Sequence, residues 1–335
     1  ALNASIEAAR AGEGCMEFDV SAVCAIVEYS SRTAERQDKL STRFNHLAEI
    51  LCEAVTWAKL EGAELVTAAH IQKTIYEKEQ RMKLYEEKLD EMLEENVIMI
   101  DTEGAEIGQI NGLAVLDMGN YAFGNPSRIT ATTYVGKSGI VNIEKEARLS
   151  GQTHDKGVQI ITGFLGQTYA QNFPLSLSCR VCFEQNYNGI DGDSASSTEL
   201  YCILSSLAEL PIRQDLAVTG SVNQKGEIQA IGGVTHKIEG FFDLCRKRGL
   251  TGTQGVIIPV SNVKDLVLKD EVVQAVKDGL FHIYPISKID EGIELLMGLS
   301  AGKKNKTGNF PANSVHGRVM KKLKAFDKRA QGEEE

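Results

Sequence analysis

The most reactive pair of side chains in this sequence is a serine and a lysine, each at the start of a segment with helical spacing. Ser194 lies in NGIDGDSASSTELYCILSSL, after a glycine-bearing turn and at the opening of an apolar-faced helix. A helix N-terminus presents unpaired backbone N–H groups and a partial positive charge, both suited to a developing oxyanion. This geometry suits a nucleophile, although on this segment alone a plain N-cap at Ser194 or Asp193 is the favoured explanation, because capping serines far outnumber catalytic ones.

The lysine follows a paired-glycine turn in AIGGVTHKIEGF, which places His236 and Lys237 in the first turn of another helix. The positive end of a helix opposes an ammonium there, and burial would lower its pKa from about 10.4 toward neutrality, as a general base requires. A surface lysine that extends to water is the alternative. Neighbours on a helix point about 100° apart, so His236 and Lys237 cannot both face one serine. The two segments together predict a nucleophile and a base, with Ser194 as the candidate nucleophile and Lys237 as the candidate base.

Charge and composition exclude several other functions. The net charge of −10 is unlike a nucleic-acid-binding surface, and no apolar run reaches the roughly 20 residues that cross a bilayer. Seven scattered cysteines do not resemble a disulfide framework, which predicts a cytoplasmic protein. Cys179 and Cys182 form a lone C-x-x-C in an alternating stretch, so strand packing is favoured over zinc or redox chemistry. No metal site, nucleic-acid partner or membrane partner is predicted.

The pattern along the chain divides near residue 96. After a linker over 1–16, residues 17–95 have helical spacing throughout, with Asp19 and Thr67 as candidate N-caps. The charged end of this region predicts a solvated linker helix, with a coiled coil as the weaker alternative because its heptads are too few.

The remainder of the chain has two patterns. Residues 96–299 alternate short β-rich runs with helical segments, which predicts a mixed α/β domain. Residues 300–335 are polar and rich in Lys and Gly, with one short helical candidate near VMKKLKAFDK. This composition predicts a mostly flexible tail.

Four blocks in order resemble the proteolytic domain of Lon-type ATP-dependent proteases, especially the Lon-B-like branch. They are GQINGLAV, GIDGDSAS, AVTGSVNQKGEIQAIGGVTHKIEG and VIIPVSNVKDL. Ser194 and Lys237 are 43 residues apart, the spacing that this family shows. The resemblance covers about 100–298, and its motifs are specific.

The resemblance implies roles for individual residues. Ser194 and Lys237 match the family's catalytic dyad, which has no orienting histidine or aspartate. Thr219 in AVTGS matches the threonine that hydrogen-bonds the lysine amine and holds it toward the serine. Asp193 matches the acidic residue before the nucleophile, and its peptide with that of Ser194 would help to form the oxyanion hole. A strand-end hydroxyl and a helix cap remain the alternatives for Thr219 and Asp193, and His154 receives no role.

The helical region resembles the small α-helical lid of an AAA+ ATPase module, which directly precedes the peptidase in these proteases. LVTAAHIQKTI matches the closing helix of the lid. Arg43 in LSTRFNHLAEI matches the sensor-2 arginine that contacts the terminal phosphates of the nucleotide, although a surface ion-pair arginine fits the same position. The expected fold is therefore an α-helical lid domain followed by a mixed α/β Lon-type peptidase domain.

The sequence contains no G-x-x-x-x-G-K-[ST] phosphate loop, so no cofactor is expected in this chain. The expectation is the C-terminal part of a longer protease, whose upstream AAA+ ATPase domain needs ATP and Mg. The resemblance implies a homo-hexamer that degrades unfolded or regulatory polypeptides. Two alternatives remain, an ATP-independent Lon-like peptidase and a non-catalytic assembly module that keeps the fold.

Overall fold

The computed structural model describes residues 16–119 and 121–332, and these residues form two compact units. The first unit contains the described residues up to Glu91, together with Asp117–Ala122 and Lys264–Leu268. The second contains Met92–Leu116, Phe123–Val263 and the described residues from Lys269 onward. The predicted linker over 1–16 lies outside the described residues except for its last position.

The first unit is helical, as the spacing of its apolar residues predicts. Its elements are β1 (Glu17–Phe18), α1 (Val20–Thr33), α2 (Phe44–Leu60), β2 (Leu65–Val66), α3 (Ala68–Met82) and α4 (Leu84–Glu94), which runs past the boundary of the unit. The two short strands, β1 and β2, pair in parallel and were not expected from the sequence.

Two helices of the first unit, α1 and α3, begin at the residues that the sequence marks as caps. Asp19 Oδ1 accepts a hydrogen bond from the Ala22 backbone N–H at 2.8 Å, and this bond begins α1. The Thr67 backbone N–H donates to His70 Nδ1 at 2.9 Å at the start of α3. Buried aliphatic side chains of α1, α2, β2 and α3 form the core of this unit, including Ile26, Ile50, Leu51, Val66 and Ile71.

The charged segment after α3 forms α4, whose side chains are exposed or partly exposed apart from Leu93. Leu93 packs with Ile100 and Leu244. The rest of α4 therefore behaves as the solvated helix that its charge pattern indicates.

A seven-stranded mixed sheet organises the second unit, in the order β13-β12-β9-β4-β5-β7-β6. The bounds of its strands are β4 (Gln109–Asp117), β5 (Ala122–Val135), β6 (Gly139–Asn142), β7 (Leu177–Phe183), β9 (Leu216–Val218), β12 (Gly255–Pro259) and β13 (His282–Ile286). Two antiparallel pairs complete the strands, β3 (Ala105–Glu106) with β8 (Ile212–Arg213) and β10 (Ser221–Val222) with β11 (Ile228–Gln229).

The pairing within the sheet is parallel between β9 and its neighbours β4 and β12, and antiparallel between β5 and β7. Cys179 and Cys182 lie in β7, as the alternating pattern predicts.

Helices of the second unit alternate with these strands, which confirms the predicted α/β character. They are α5 (Ile143–Glu146), α6 (Gln152–Tyr169), α7 (Ser196–Ala208), α8 (Val234–Arg248), α9 (Asp270–Lys277), α10 (Ile289–Met297) and α11 (Val315–Gln331), with a 3₁₀ helix at Val260–Asp265. Helix α7 is the central one, because all but one of its thirteen residues are buried. None of the described helices is long and apolar enough to cross a bilayer.

The prediction of a mostly flexible tail over 300–335 is wrong. Helix α11 (Val315–Gln331) packs against α7, and its residues Val315, Val319, Leu323 and Phe326 join the buried core of the second unit. These four residues lie on one face of the helix because their spacing follows the helical period. The Lys and Arg residues on the other face make the average composition polar, and this average concealed the apolar stripe.

Candidate active site

Ser194 lies in a turn that ends where α7 begins, two residues before Ser196. Gly192 enters this turn with φ +92°, a left-handed conformation that glycine adopts without steric cost. Ser194 is partly buried. The N-terminus of α7 follows Ser194 directly in the chain, as the sequence indicates.

Hydrogen bonds hold this turn against the segment that joins β9 and β10. The Gly220 backbone N–H donates to the Ser194 carbonyl at 2.8 Å, and the Ser197 N–H and hydroxyl both donate to the Gly220 carbonyl, at 3.1 and 2.7 Å. The Val222 N–H donates to Ser196 Oγ at 3.0 Å. Backbone groups on both sides of Ser194 are therefore paired, which restricts where its side chain can lie.

Lys237 lies one turn into α8, and its residue is only 3% exposed. Glycines at two positions allow β5 to pass close to this helix. A Cβ at Gly124 would lie 2.0 Å from the His236 carbonyl oxygen, and a Cβ at Gly240 would lie 2.2 Å from the Gly124 carbonyl oxygen. Any larger residue at either position would displace the strand or the helix that carries Lys237.

The side chains of three predicted site residues meet. Lys237 Nζ lies 2.9 Å from Ser194 Oγ and 3.1 Å from Thr219 Oγ1, and Thr219 is buried at the end of β9. A neutral amine has one lone pair and two N–H donors, so it can accept the Ser194 proton while it donates to Thr219. Burial and the positive end of α8 both disfavour the ammonium form. The arrangement is chemically suited to activation of the Ser194 hydroxyl.

Asp193 contributes to the same turn through its side chain and its backbone. Its carboxylate accepts a hydrogen bond from the Ser221 hydroxyl at 3.0 Å, and its carbonyl accepts one from the Ser196 N–H at 3.0 Å. Within the described part of the chain, the N–H groups of Asp193 and Ser194 donate to no protein atom. Both N–H groups are therefore available to a ligand oxygen near Ser194.

Arg43 belongs to the first unit and not to the unit that holds the other predicted site residues. It lies immediately before α2, its residue is exposed, and its backbone N–H donates to Ser41 Oγ at 3.1 Å. A nucleotide contact by Arg43 stays a prediction. The described residues contain no group of three or more His, Cys, Asp or Glu side chains that could hold a metal ion.

A buried pair behind the nucleophile turn was not found by sequence reasoning. His154 on α6 and Glu199 on α7 are each 1% exposed, and His154 Nε2 lies 3.5 Å from Glu199 Oε1. Burial and the nearby negative charge of Glu144 raise the pKa of Glu199 well above its usual range, and burial lowers the pKa of His154. Both shifts favour the uncharged forms, a carboxylic acid beside a neutral imidazole. A glutamate on the apolar face of a helix, five residues after Ser194, was the available signal.

The first prediction concerns how the raised pKa of Glu199 makes the unfolding free energy depend on pH. Above pH about 4.5 the unfolded chain ionises Glu199 while the folded chain keeps its proton, so stability falls by up to ~1.4 kcal/mol per pH unit. Glutamine mimics the protonated acid without this linkage. The gain in unfolding free energy of Glu199→Gln over wild type should therefore increase from pH 5 to pH 8 in urea denaturation.

Glu146→Gln, at an exposed position of α5, is the matched control for this experiment. A Glu199→Gln difference that stays constant from pH 5 to pH 8 would show that Glu199 is ionised in the folded protein.

Comparison with protein families finds two matches that fall in the two units. Residues 17–81 match the AAA+ ATPase LID domain of archaeal LonB, and residues 181–298 match the C-terminal proteolytic domain of Lon protease (S16). Ser194, Thr219 and Lys237 lie inside the second match. Together the two matches include more than half of the chain.

Individual relatives agree with these families. A putative Lon protease homolog of Escherichia coli (strain K12) is 44% identical over 218 residues, which is 64% of this chain and 37% of that protein. A putative Lon protease homolog of Haemophilus influenzae is 35% identical over 320 residues, or 93% of this chain and 52% of that protein. The archaeal Lon protease of Archaeoglobus fulgidus is 28% identical over 291 residues, or 86% of this chain and 43% of that protein.

This chain thus spans about half or less of the length of each of these relatives. The matches include both the helical unit and the unit that contains the serine and lysine. The chain therefore belongs to the Lon protease family, and it combines a LonB-type AAA+ LID domain with a Lon proteolytic domain.

Proposed function

We propose that this chain carries a serine endopeptidase site in which Ser194 and Lys237 form a catalytic dyad. The observation that supports it is the 2.9 Å contact between Lys237 Nζ and Ser194 Oγ at a lysine that is almost wholly buried. A buried amine beside the hydroxyl of a partly buried serine at a helix N-terminus combines a base, a nucleophile and anion-stabilising N–H groups.

The reaction follows from this geometry. Ser194 Oγ attacks the carbonyl carbon of a substrate peptide while its proton passes to the neutral amine of Lys237. The resulting oxyanion is stabilised by the N–H groups of Asp193 and Ser194. Lys237, now an ammonium, returns the proton to the leaving amine and an acyl-enzyme forms. A water molecule then repeats these steps, with Lys237 again as base, and releases the second product.

Thr219 serves as the orienting group of the dyad. Its hydroxyl accepts a hydrogen bond from Lys237 Nζ at 3.1 Å and itself lies 3.5 Å from the Ser194 carbonyl oxygen. This contact leaves the amine lone pair directed at Ser194, so it substitutes for the third member of a histidine-based triad.

At the level of the whole protein, we propose an ATP-dependent protease for unfolded or regulatory polypeptides. The LID domain supports an associated AAA+ ATPase domain, which would bind ATP and Mg, with Arg43 as the sensor of the terminal phosphates. A homo-hexameric ring and a cytoplasmic location are further parts of this proposal. An ATP-independent peptidase or a non-catalytic assembly module are the alternatives.

A serine-directed covalent probe tests the peptidase proposal directly. A peptide fluorophosphonate should label the wild-type chain at Ser194, as intact-protein and peptide mass spectrometry would show. Ser194→Ala should abolish the labelling, whereas Ser261→Ala, at an exposed serine outside the site, should retain it. A wild-type chain that is folded by circular dichroism but remains unlabelled would favour a non-catalytic module.

A second test concerns whether this chain binds or hydrolyses ATP. The sequence has no phosphate loop, and the single charge-assisted contact that Arg43 could supply is worth only about 1.5–3 kcal/mol against the cost of ordering a nucleotide. The 335-residue chain should therefore neither hydrolyse ATP nor bind it tightly. Isothermal calorimetry with Mg-ATP measures this, and a micromolar Kd would contradict the domain assignment.

A further inference from the structure

Helix α6 begins without a side-chain cap of its own. Its N-cap residue is Gly151, whose backbone angles, φ −80° and ψ 165°, are ones that any residue can adopt. A side chain at an N-cap normally accepts a hydrogen bond from the second or third N–H of its helix. In α6 these two N–H groups, of Thr153 and His154, donate to Asp191 Oδ1 at 3.1 and 3.2 Å. Asp191 therefore caps α6 from a distant part of the chain.

The geometry at Gly151 explains why the cap comes from Asp191. A Cβ at Gly151 would lie 2.2 Å from Asp191 Cγ and 2.6 Å from Asp191 Cβ, so the Asp191 side chain fills the space of a local cap. The two backbones also meet here. The Gly151 N–H donates to the Ile190 carbonyl and the Ile190 N–H donates to the Leu149 carbonyl, both at 2.8 Å. Backbone pairing thus brings the carboxylate to the start of α6.

The same carboxylate oxygen contacts the nucleophile turn, residues 192–194. Asp191 Oδ1 accepts a third hydrogen bond, from the Gly192 N–H at 2.8 Å. The N–H groups of Gly192 and then of His154 hold the pKa of Asp191 below its usual range, so this carboxyl is ionised at neutral pH. An ionised acceptor makes stronger N–H bonds than a neutral one. One carboxylate therefore ties the first turn of α6 to the first residue of the nucleophile turn.

The last two residues of the nucleophile turn have other partners. The Gly220 N–H donates to the Ser194 carbonyl at 2.8 Å, and the Ser221 hydroxyl donates to the Asp193 carboxylate at 3.0 Å. Gly192, between these bonds and Asp191, has φ +92° and no Cβ, so sterics restrict its dihedral angles little. With both ends of the turn held, these angles are fixed. They set the direction of the Asp193 N–H, one of the two proposed oxyanion donors.

We propose that Asp191 is a positioning residue that holds the start of the nucleophile turn against the N-terminus of α6 and keeps the Asp193 N–H directed at the oxyanion. The proposal rests on the peptidase function proposed above. Asp191 acts through the backbone of the turn and not on the reacting atoms. Its loss should therefore weaken stabilisation of the transition state more than binding of the substrate.

Two single variants test this role by steady-state hydrolysis of a fluorogenic peptide. Asp191→Ala removes all three bonds and should lower kcat about 10–100-fold with KM nearly unchanged, the effect of a displaced reacting geometry. Asp191→Asn keeps a side-chain oxygen as acceptor. It should retain kcat within about threefold of wild type, because Asn and Asp cap helices about equally well. A folded Asp191→Ala variant with wild-type kcat would overturn the proposal.

A swap variant, Gly151→Asp with Asp191→Gly, separates positioning from helix stability. It moves the carboxylate from the turn to the N-cap of α6, and the Asp191 atoms that would collide with a Cβ at position 151 are gone. Compared with Asp191→Gly alone, the swap should raise the urea midpoint because α6 regains a cap. Both variants should keep the same reduced kcat, since no side chain joins helix and turn. Wild-type kcat in the swap would show that Asp191 only stabilises α6, contrary to the proposal.

The matched control is Asp270→Ala. Asp270 is an exposed aspartate in the first turn of α9, a helix of the same unit. This variant should lower the urea midpoint slightly, because an acidic residue near a helix N-terminus is lost, and leave kcat unchanged. A loss of kcat as large as that in Asp191→Ala would mean that the effect is one of charge or stability in general, and the positioning role would be rejected.

Amide hydrogen exchange, read by mass spectrometry, tests the tie without reference to activity. Asp191→Gly should increase exchange in peptides that cover residues 151–156 and 190–195, and the swap should restore protection to the first of these alone. Wild-type exchange over 190–195 in Asp191→Gly would overturn the proposal. Fluorophosphonate labelling of the wild type at Ser194 reports the peptidase function separately. Failure of that labelling contradicts the dyad, whereas the exchange result concerns Asp191 alone.

Discussion

Lys237→Met should lower kcat for peptide hydrolysis by about 10²–10⁴-fold, the contribution typical of a general base. The chain should remain folded, because methionine keeps most of the aliphatic stem of a side chain that is 3% exposed and introduces no charge. Lys237→Arg should be equally inactive. A guanidinium stays protonated at any working pH, so it cannot accept the Ser194 proton.

The measurement is steady-state hydrolysis of a fluorogenic peptide, with circular dichroism to verify the fold of each variant. Lys247→Ala is the matched control, since Lys247 lies in the last turn of the same helix and pairs with Glu94 at 2.9 Å. This variant should retain wild-type kcat. Appreciable turnover in Lys237→Arg would show that Lys237 is not the base.

The same base predicts the direction of the pH dependence. Only the neutral amine can accept the Ser194 proton, so kcat/KM should rise with pH through the pKa of Lys237 in the free enzyme. Lys237→Met should lack this limb in whatever residual activity remains. An acidic limb that is centred near pH 6.5 and persists in Lys237→Met would indicate a histidine base.

Removal of residues 300–335 should unfold the proteolytic unit. The deletion removes α11 and with it Val315, Val319, Leu323 and Phe326 from the core. Each buried apolar side chain stabilises the fold by about 1.5–3 kcal/mol, so four of them contribute roughly as much as the whole stability of a typical domain, about 5–15 kcal/mol. Tyr169 would also lose its hydrogen bond to His316.

Thermal unfolding followed by circular dichroism measures the effect, and limited proteolysis gives a second readout. Single substitutions provide a milder version of the experiment. Leu323→Ala should cost about 2–5 kcal/mol, whereas Lys324→Ala, at the next and exposed position, should cost almost nothing. A chain that ends at residue 299 and keeps the wild-type Tm would contradict the packing of α11.

Local sequence patterns were sufficient for the helix starts that frame the site. The glycine-bearing turn before Ser194 and the paired glycines before Lys237 each predict a helix start, and α7 and α8 begin at these places. Short-range features are readable because caps, turns and helical periodicity depend on residues a few positions apart. The same approach missed the packing of α11, because the average composition of residues 300–335 is polar and conceals four apolar residues that lie on one face of the helix.

Contacts between distant segments were decided by the tertiary structure alone. The sequence predicts that Ser194 and Lys237 act together, but their 2.9 Å contact depends on the close passage of β5 and α8 at Gly124 and Gly240. The approach of His154 on α6 to Glu199 on α7, with 3.5 Å between Nε2 and Oε1, brings two distant segments together, and no local pattern indicates it. Periodicity determines which face of a helix is apolar, whereas only packing determines which distant atom a buried polar group meets.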